Sequence, residues 1–424
     1  MTPTARLHRA LPATASRDFN YVWLAATASS IALWTMLLGN AWVVYELSDS
    51  SAWVAVAVFA SMFPFFLAPI GGLIADRFER RTLLLFSRAG ALAGMTILFL
   101  IAAFGILEVW IVVVGALGLG LVRSTETPAD QALVANVVGK EAIANAVVLS
   151  TTTRLGARAV GPLIAGPLLE TIGVEGAYGV AVAFGILATL FVVPVHTRSL
   201  GGVTDLREFA TGLREGIRYV RNTGPVLAVF IIVVAHCVLT MSFDSMLPGF
   251  ASHDLHLPTR GFTALSVAVG AGAFIGTLSL ALLTRGNRGT LFLAMIIISG
   301  IGPIFLAMSN TLPAAATSAM IMGASQAVTM ALAAVFLQEV VDDAVRGRVM
   351  SLYLMSAGGL MAFANLGYGA MADIWGAPIL LLIPGIGFLA IVAATIATNP
   401  HLRRVYGTGT LVPAPAAAGA YSLP

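Results

Sequence analysis

The sequence predicts an all-α membrane protein: twelve transmembrane helices in two pseudosymmetric six-helix bundles. Three observations carry this expectation. The chain of 424 residues is 58% hydrophobic and only 10% charged, against roughly 25% charged in a soluble domain. Twelve apolar segments follow one another with short polar breaks, each of a length suited to crossing a bilayer. The basic residues gather on alternate breaks, as they do when every second loop faces the cytoplasm.

The segments cover residues 20–45, 52–75, 82–105, 109–131, 142–169, 175–196, 225–251, 261–284, 290–308, 312–337, 346–372 and 376–398. With the amino terminus inside, the even-numbered loops and both tails hold 19 of the 23 Lys and Arg residues, Arg88 counted among them. The outside loops hold Arg260 alone, so both termini are expected in the cytoplasm. Trp23, Trp42, Trp53, Trp110 and Trp375 fall at segment ends, where amphipathic rings favour the headgroup layer. Trp34 is mid-span, as a cavity residue or as a packed or lipid-facing ring.

The expected units are a cytoplasmic tail over 1–18, a bundle over 19–196, a linker over 197–224, a second bundle over 225–398 and a disordered tail over 399–424. The first 18 residues lack an apolar run and read as a tail, not a cleaved signal. In the linker, Leu206, Phe209, Leu213, Ile217 and Val220 recur at helical spacing with arginines and glutamates between them, which predicts an amphipathic helix on the inner surface. The halves echo each other at an offset of 203 residues: Val137-Val138 with Val340-Val341, Gly173 with Gly376, and Glu170 with Asp373. Parallel six-helix repeats leave such a trace. Gly90-x-x-x-Gly94 and Gly272-x-x-x-Gly276 permit close helix contact, or arise by chance among 43 glycines.

Several chemistries are disfavoured. Cys237 is the sole cysteine, which removes disulfides and Cys-based metal sites. No phosphate loop, metalloprotease motif or nucleophile elbow occurs. No enzyme activity, metal, organic cofactor or nucleic-acid partner is expected; the partners are a small-molecule substrate and membrane lipids, around a monomer.

Charges inside the spans are the candidate site. From Trp110 as the outer end of span 4, Arg123 lies ~20 Å deep, Glu126 ~24 Å and Asp130 ~30 Å, all on one helix face. In span 5, counted from Glu170, Arg158 lies ~18 Å deep and Arg154 ~24 Å. A charge at mid-bilayer costs at least ~2.5–3.5 kcal/mol, so these groups should avoid lipid. Matching depths pair Glu126 with Arg154. Arg123 and Arg158 then either line a central cavity and bind an anionic group, or belong to a salt-bridge network between spans 4 and 5. Asp244, four residues before Pro248 in span 7, is a proton carrier or a residue of the outer mouth. His236 titrates or makes a helix–helix hydrogen bond. Asn40 and Gln326 are polar enough to touch substrate.

The hinge Gly71-Gly72-Leu73-Ile74-Ala75-Asp76-Arg77-Phe78-Glu79-Arg80-Arg81 resembles the loop between helices 2 and 3 of major facilitator superfamily transporters, with Ile74 and Glu79 departing from that pattern. Further resemblances lie in Tyr45-Glu46-Leu47-Ser48, Thr127 to Leu133, Ala157 to Pro162, and Arg346-Gly347-Arg348-Val349-Met350-Ser351-Leu352-Tyr353. Together they are similar to the bacterial drug and siderophore export branch, although Glu126 and Asp130 differ from its usual span 4 charges. The resemblance implies gating roles for Gly72, Asp76, Arg77, Arg80, Arg81 and Arg346, with Asp76 near Arg346 at the start of span 11, and for the antiporter-like Gly161-Pro162. It implies a secondary exporter in the bacterial inner membrane; with no nucleotide-binding motif in the sequence, the proton gradient is the expected driving force, and Glu126, Asp130 and Asp244 are the candidate proton carriers. An importer or lipid transporter of the same fold, and a non-transporting structural membrane protein, are the alternatives. Asp342 and Asp343 are expected to cap span 11.

Overall fold

The computed structural model describes residues 11–66, 79–197, 206–283 and 287–399. Every expected span with described residues is helical. The first six are α1 (Arg17–Ser48), α2 (Ser51–Phe66), α3 (Arg80–Ala103), α4 (Val109–Val137), α5 (Ile143–Thr171) and α6 (Val174–Leu190). The linker forms α7 (Leu206–Asn222). Beyond it come α8 (Gly224–Leu239), α9 (Pro258–Leu283), α10 (Arg288–Ala307), α11 (Leu312–Val340), α12 (Asp343–Met355), α13 (Met361–Trp375) and α14 (Ala377–Thr398). Nine of the helical stretches among the described residues are long and apolar enough to cross a membrane, and Ser51–Pro64 and Val174–Leu190 are shorter apolar helices. A π turn over Ser356–Leu360 joins α12 to α13.

Local chemistry sets the helix ends. The Ser16 hydroxyl caps α1 by accepting from Phe19 N at 3.2 Å, which satisfies one of the first-turn N–H groups that have no partner within the helix. Glu79, out of place in the family pattern, caps α3: its carboxylate accepts from Arg81 N at 3.1 Å and Thr82 N at 2.8 Å. Gly173 and Gly376, the pair related by the 203-residue offset, both turn the chain with positive φ, +102° and +78°. Only glycine adopts that backbone without strain, so the repeat seen in sequence marks one turn used twice.

The apolar core is unevenly divided. At the end of the molecule where α1 finishes, one cluster joins both halves of the chain, with Trp42, Val54, Met95 and Tyr178 beside Phe250, Phe262, Leu306 and Leu380. At the opposite end the described residues form two clusters. One holds Phe19, Leu84, Leu133 and Val192 from the first half. The other holds Phe230, Phe292, Phe336 and Phe388 from the second.

The seams between the halves are α5 against α9 and α2 against α13. A Cβ at Gly270 would stand 2.5 Å from Ala159 N, so glycine lets α9 lie directly on the α5 backbone. Gly272 and Gly276 bring α9 against the α11 backbone at Met320 and Ala324, whereas Gly90 and Gly94 meet only side chains of α4. The second glycine pair is therefore a backbone contact of the kind small residues permit; the first is ordinary packing.

The linker helix is not a loose tether. Gly212 and Gly216 lie against Arg348 and Leu352 of α12, and Arg348 forms an ion pair with Glu215. Tyr219 Oη donates to Asp342 Oδ2 at 3.3 Å. Burial first, and then the Asp342 carboxylate, hold the Tyr219 phenol above its ordinary value, so it remains a donor. Asp342 stands at the N-cap of α12 but makes no side-chain capping bond, and Asp343 lies in the first turn. The expected side-chain cap is therefore not made, and the two carboxylates meet Tyr219 and Arg346 instead.

Candidate functional site

A cavity of about 290 Å³ lies between the two halves of the chain. Its wall is mostly Leu, Met, Ala, Val and Phe, with a few polar groups set into it. Those polar groups include Asn40, Arg123, Arg158, Asp244 and Gln326, and Trp34 and Pro162 also line it. The helix rise explains the choice from α5: Arg158 and Pro162 are four residues apart and share one face.

The charge partners differ from the pairing by depth. Glu126 meets Arg88, not Arg154: its Oε1 accepts from Arg88 Nε at 3.2 Å and from Ser29 Oγ at 2.8 Å. Arg88 Nη2 also donates to Asp130 Oδ1 at 3.0 Å. Arg88 is 2% exposed, Glu126 and Asp130 6% each. Arg88 had been counted with the cytoplasmic loop, yet it lies two turns inside α3. Glu126 accordingly stands behind the cavity wall, and Asp130 is buried with it. The sequence did carry a signal for this. Two carboxylates four residues apart on one helix face require a cation, and Arg88 sits at the right depth to supply it.

Arg158 also has a partner, from the other half. Its Nη2 stands 3.5 Å from Asp244 Oδ1, and the two side chains are 20% and 31% exposed. The guanidinium lies over the Trp34 ring, 4.9 Å from its centroid, within the range of a cation–π contact. Asp244 can reach the cavity because the helical chain breaks after α8. A 3₁₀ turn over Asp244–Met246 and a π turn over Phe250–Asp254 interrupt it. Irregular backbone at membrane depth is tolerated where it is buried in protein or lines a cavity. Arg123 is the other cation on the wall, and its Nε is buried with no hydrogen-bond partner among the described residues.

The remaining polar positions hold the frame. Asn40 accepts from Tyr178 Oη at 2.7 Å. Gln326 Nε2 donates to Thr240 O at 2.7 Å, satisfying a carbonyl released where α8 ends. His236 Nδ1 sits 2.6 Å from Thr240 Oγ1 and 3.3 Å from Ser299 Oγ, which ties α8 to α10. Trp42, expected at the headgroups, is 7% exposed and stacks on Phe262 at 6.1 Å; Trp53, Trp110 and Trp375 are exposed.

Of the gating positions implied by resemblance, Gly72, Asp76 and Arg77 lie outside the described residues. Arg80 opens α3, and Arg81 Nη2 donates to Val193 O at 2.8 Å. Arg346 pairs with Asp343 on its own helix and donates to Val341 O at 3.2 Å. Gly161 is packed against α1, where a Cβ would stand 2.9 Å from Trp34 Cβ and 3.0 Å from Thr35 N.

A membrane-embedded helical protein with a mostly apolar cavity between its halves, and ionisable groups set in the wall, has the anatomy of a small-molecule transporter. The chain belongs to the major facilitator superfamily family of transmembrane secretion effectors, whose model matches residues 10–407. It is 22% identical over 375 residues to the staphyloferrin A transporter of Staphylococcus aureus (strain NCTC 8325 / PS 47), covering 87% of this chain and 93% of that protein. It is 21% identical over 270 residues to macrolide efflux protein A of Streptococcus pyogenes, covering 62% and 66%. Among solved structures, a POT family transporter in complex with 5-aminolevulinic acid superposes with a TM-score of 0.72 at 12% identity, covering 91% of this chain and 97% of that one. A mutant of the peptide transporter POT in complex with sulfate gives 0.74 at 12% identity, covering 91% and 95%. At that identity the likeness concerns the fold.

Proposed function

We propose that the chain is a secondary exporter of the bacterial inner membrane, carrying a small amphipathic organic molecule outward in exchange for protons. The two sets of six spans rock about the cavity, and both termini face the cytoplasm. The observation that carries this reading is the divided core: one cluster joins the halves at one end, while separate clusters serve each half at the other. Under the orientation given by the basic residues, the joined end is the outer one, and the cavity is poised toward the cytoplasm. Of the relatives, the one named as an efflux protein supports export.

The substrate's apolar body packs on the Leu and Met wall and on Trp34. Its head donates to Asp244 and accepts from Arg123 and Arg158, with Asn40 and Gln326 beside it. Asp244 is the carboxylate on the cavity wall, and it is the proton carrier that the substrate meets directly. Glu126 and Asp130, joined through Arg88, are the second proton station. Moving one charge through 100 mV supplies ~2.3 kcal/mol, nearly fiftyfold in accumulation.

The direction of coupling has a thermodynamic signature. A head that competes with the proton at Asp244 binds more tightly as pH rises. An anion that displaces Asp244 from Arg158 leaves the carboxylate free to take a proton, so it binds more tightly as pH falls. Exchange requires the first behaviour; co-transport requires the second. A ligand-stabilisation screen of the purified protein across a pH series, with cationic, neutral and anionic small molecules, tests the proposal. Ligands whose stabilisation grows with pH support exchange, and accumulation by inverted vesicles should exceed that by intact cells. Stabilisation that grows only as pH falls would reverse the assignment to proton-coupled uptake.

A further inference from the structure

The start of α2 is capped by a residue from the far end of the chain. Its first-turn N–H groups, which an isolated helix leaves without partners, are satisfied in two ways. Ser50 Oγ accepts from Trp53 N at 3.4 Å, the local arrangement. The N–H groups of Ser51 and Ala52 donate instead to the Asp373 carboxylate, at 2.7 Å and 3.2 Å, and Ser50 Oγ donates to the same carboxylate at 2.5 Å. Asp373 lies near the end of α13, in the other half of the chain. The dipole of α2 favours an anion at this point.

The place of this contact matters. Met62 of α2 and Met361 of α13 line the cavity, and Asp373 is ~18 Å further along its helix than Met361. Between them Gly369 rests on the backbone at Ser51. The Trp42–Phe262 stack and the edge contact of Tyr45 with His253, 6.3 Å between centroids, lie in the same joined end. Opening the cavity toward this end must draw α2 away from α13. That motion strips two N–H groups and a hydroxyl of their acceptor at once.

We infer that Asp373 is a gating residue: its carboxylate latches α2 to α13 and holds the cavity closed at the outer end. The latch is a positioning element, since it never touches substrate. Asp373 is exposed and Ser50 and Ala52 are half-buried, while Ser51 is buried; water can replace the carboxylate at two of the three donors, so the latch biases the equilibrium without locking it. Loss of a helix cap corresponds to about a fivefold change in an equilibrium constant, and the latch should be worth a comparable factor. This inference rests on the alternating access proposed above.

The test uses the full chain with Cys237, itself buried, replaced by alanine, and a reporter made by Met62→Cys on the cavity wall. Labelling with a membrane-impermeant maleimide is followed in intact cells and in inverted vesicles. Asp373→Ala should raise the labelling rate from outside about fivefold and lower it from inside. Ser50→Ala, which removes one donor to the carboxylate together with the local acceptor of Trp53 N but spares Asp373, should move both rates the same way by less. Asp373→Ala that lowers the melting temperature while both rates stay at parent values would overturn the latch and leave Asp373 a structural cap. Should Asp373→Ala not accumulate, the Ser50→Ala rates decide, and unchanged values there overturn the latch. A parent reporter that labels from neither side would sink alternating access at this cavity, and the latch with it.

Discussion

Two ionic sites in this molecule differ in almost every physical respect. Arg88 is 2% exposed and is shared by Glu126 and Asp130 at 3.2 and 3.0 Å, within the first half of the chain. Arg158 and Asp244 are 20% and 31% exposed at the side chain, meet at 3.5 Å, and join the two halves across the cavity wall. The first arrangement is short, closed and reinforced by Ser29; the second is long, open and backed by the Trp34 ring. Desolvation makes a buried charge costly to leave unpaired, so the enclosed site keeps its geometry and can change its charge only by taking up a proton. The open pair can be taken apart by a ligand able to replace either partner. A transporter needs both: a fixed frame for one half, and a contact between the halves that substrate can exchange.

The contrast can be broken from the enclosed side first. Arg88→Met leaves two buried carboxylates without their cation and should destabilise the protein by about 3–5 kcal/mol, read as a fall in the melting temperature in detergent. Adding Glu126→Gln and Asp130→Asn to Arg88→Met should recover much of that loss, because the network is then neutral throughout. If the triple variant is no better than the single one, charge is not what the site manages.

Changes at the open pair should show in ligand binding more than in stability. Asp244→Asn removes a hydrogen-bonded charge, worth about 1.5–3 kcal/mol of ligand affinity. It should also flatten the rise of ligand stabilisation with pH, measured by thermal shift. Arg123→Gln should weaken binding by a similar amount while leaving that pH trend in place, which separates the two roles. Smallest is Trp34→Leu: losing the cation–π contact should cost about 0.5–1 kcal/mol, seen in titration calorimetry as a few-fold weaker binding with the pH trend unchanged.

The two sites were unequally legible before the structure. Arg158, Asp244, Trp34, Asn40, Gln326 and Arg123 are polar or aromatic residues at depths where lipid is a poor solvent, and that alone nominates them for a protected surface. Arg88 escaped because proximity to a charged hinge made it look like one more loop arginine. Depth arithmetic paired Glu126 with Arg154 since it knows distance along the membrane normal and nothing of rotation about a helix axis. Trp42 shows the same blindness: its position at a segment end suggested the headgroup layer, but the ring faces Phe262.

Composition and the spacing of charge determined that this chain must live in a membrane as successive helices. They also determined that any ionised group within those helices had to turn inward. Those are statements about solvation, and solvation depends on residue type and depth. Which guanidinium meets which carboxylate, and that Asp373 should cap a helix lying 322 residues earlier, depend on how the helices are rotated and crossed. Only the folded packing decides that, because contacts between distant segments leave no period in the sequence.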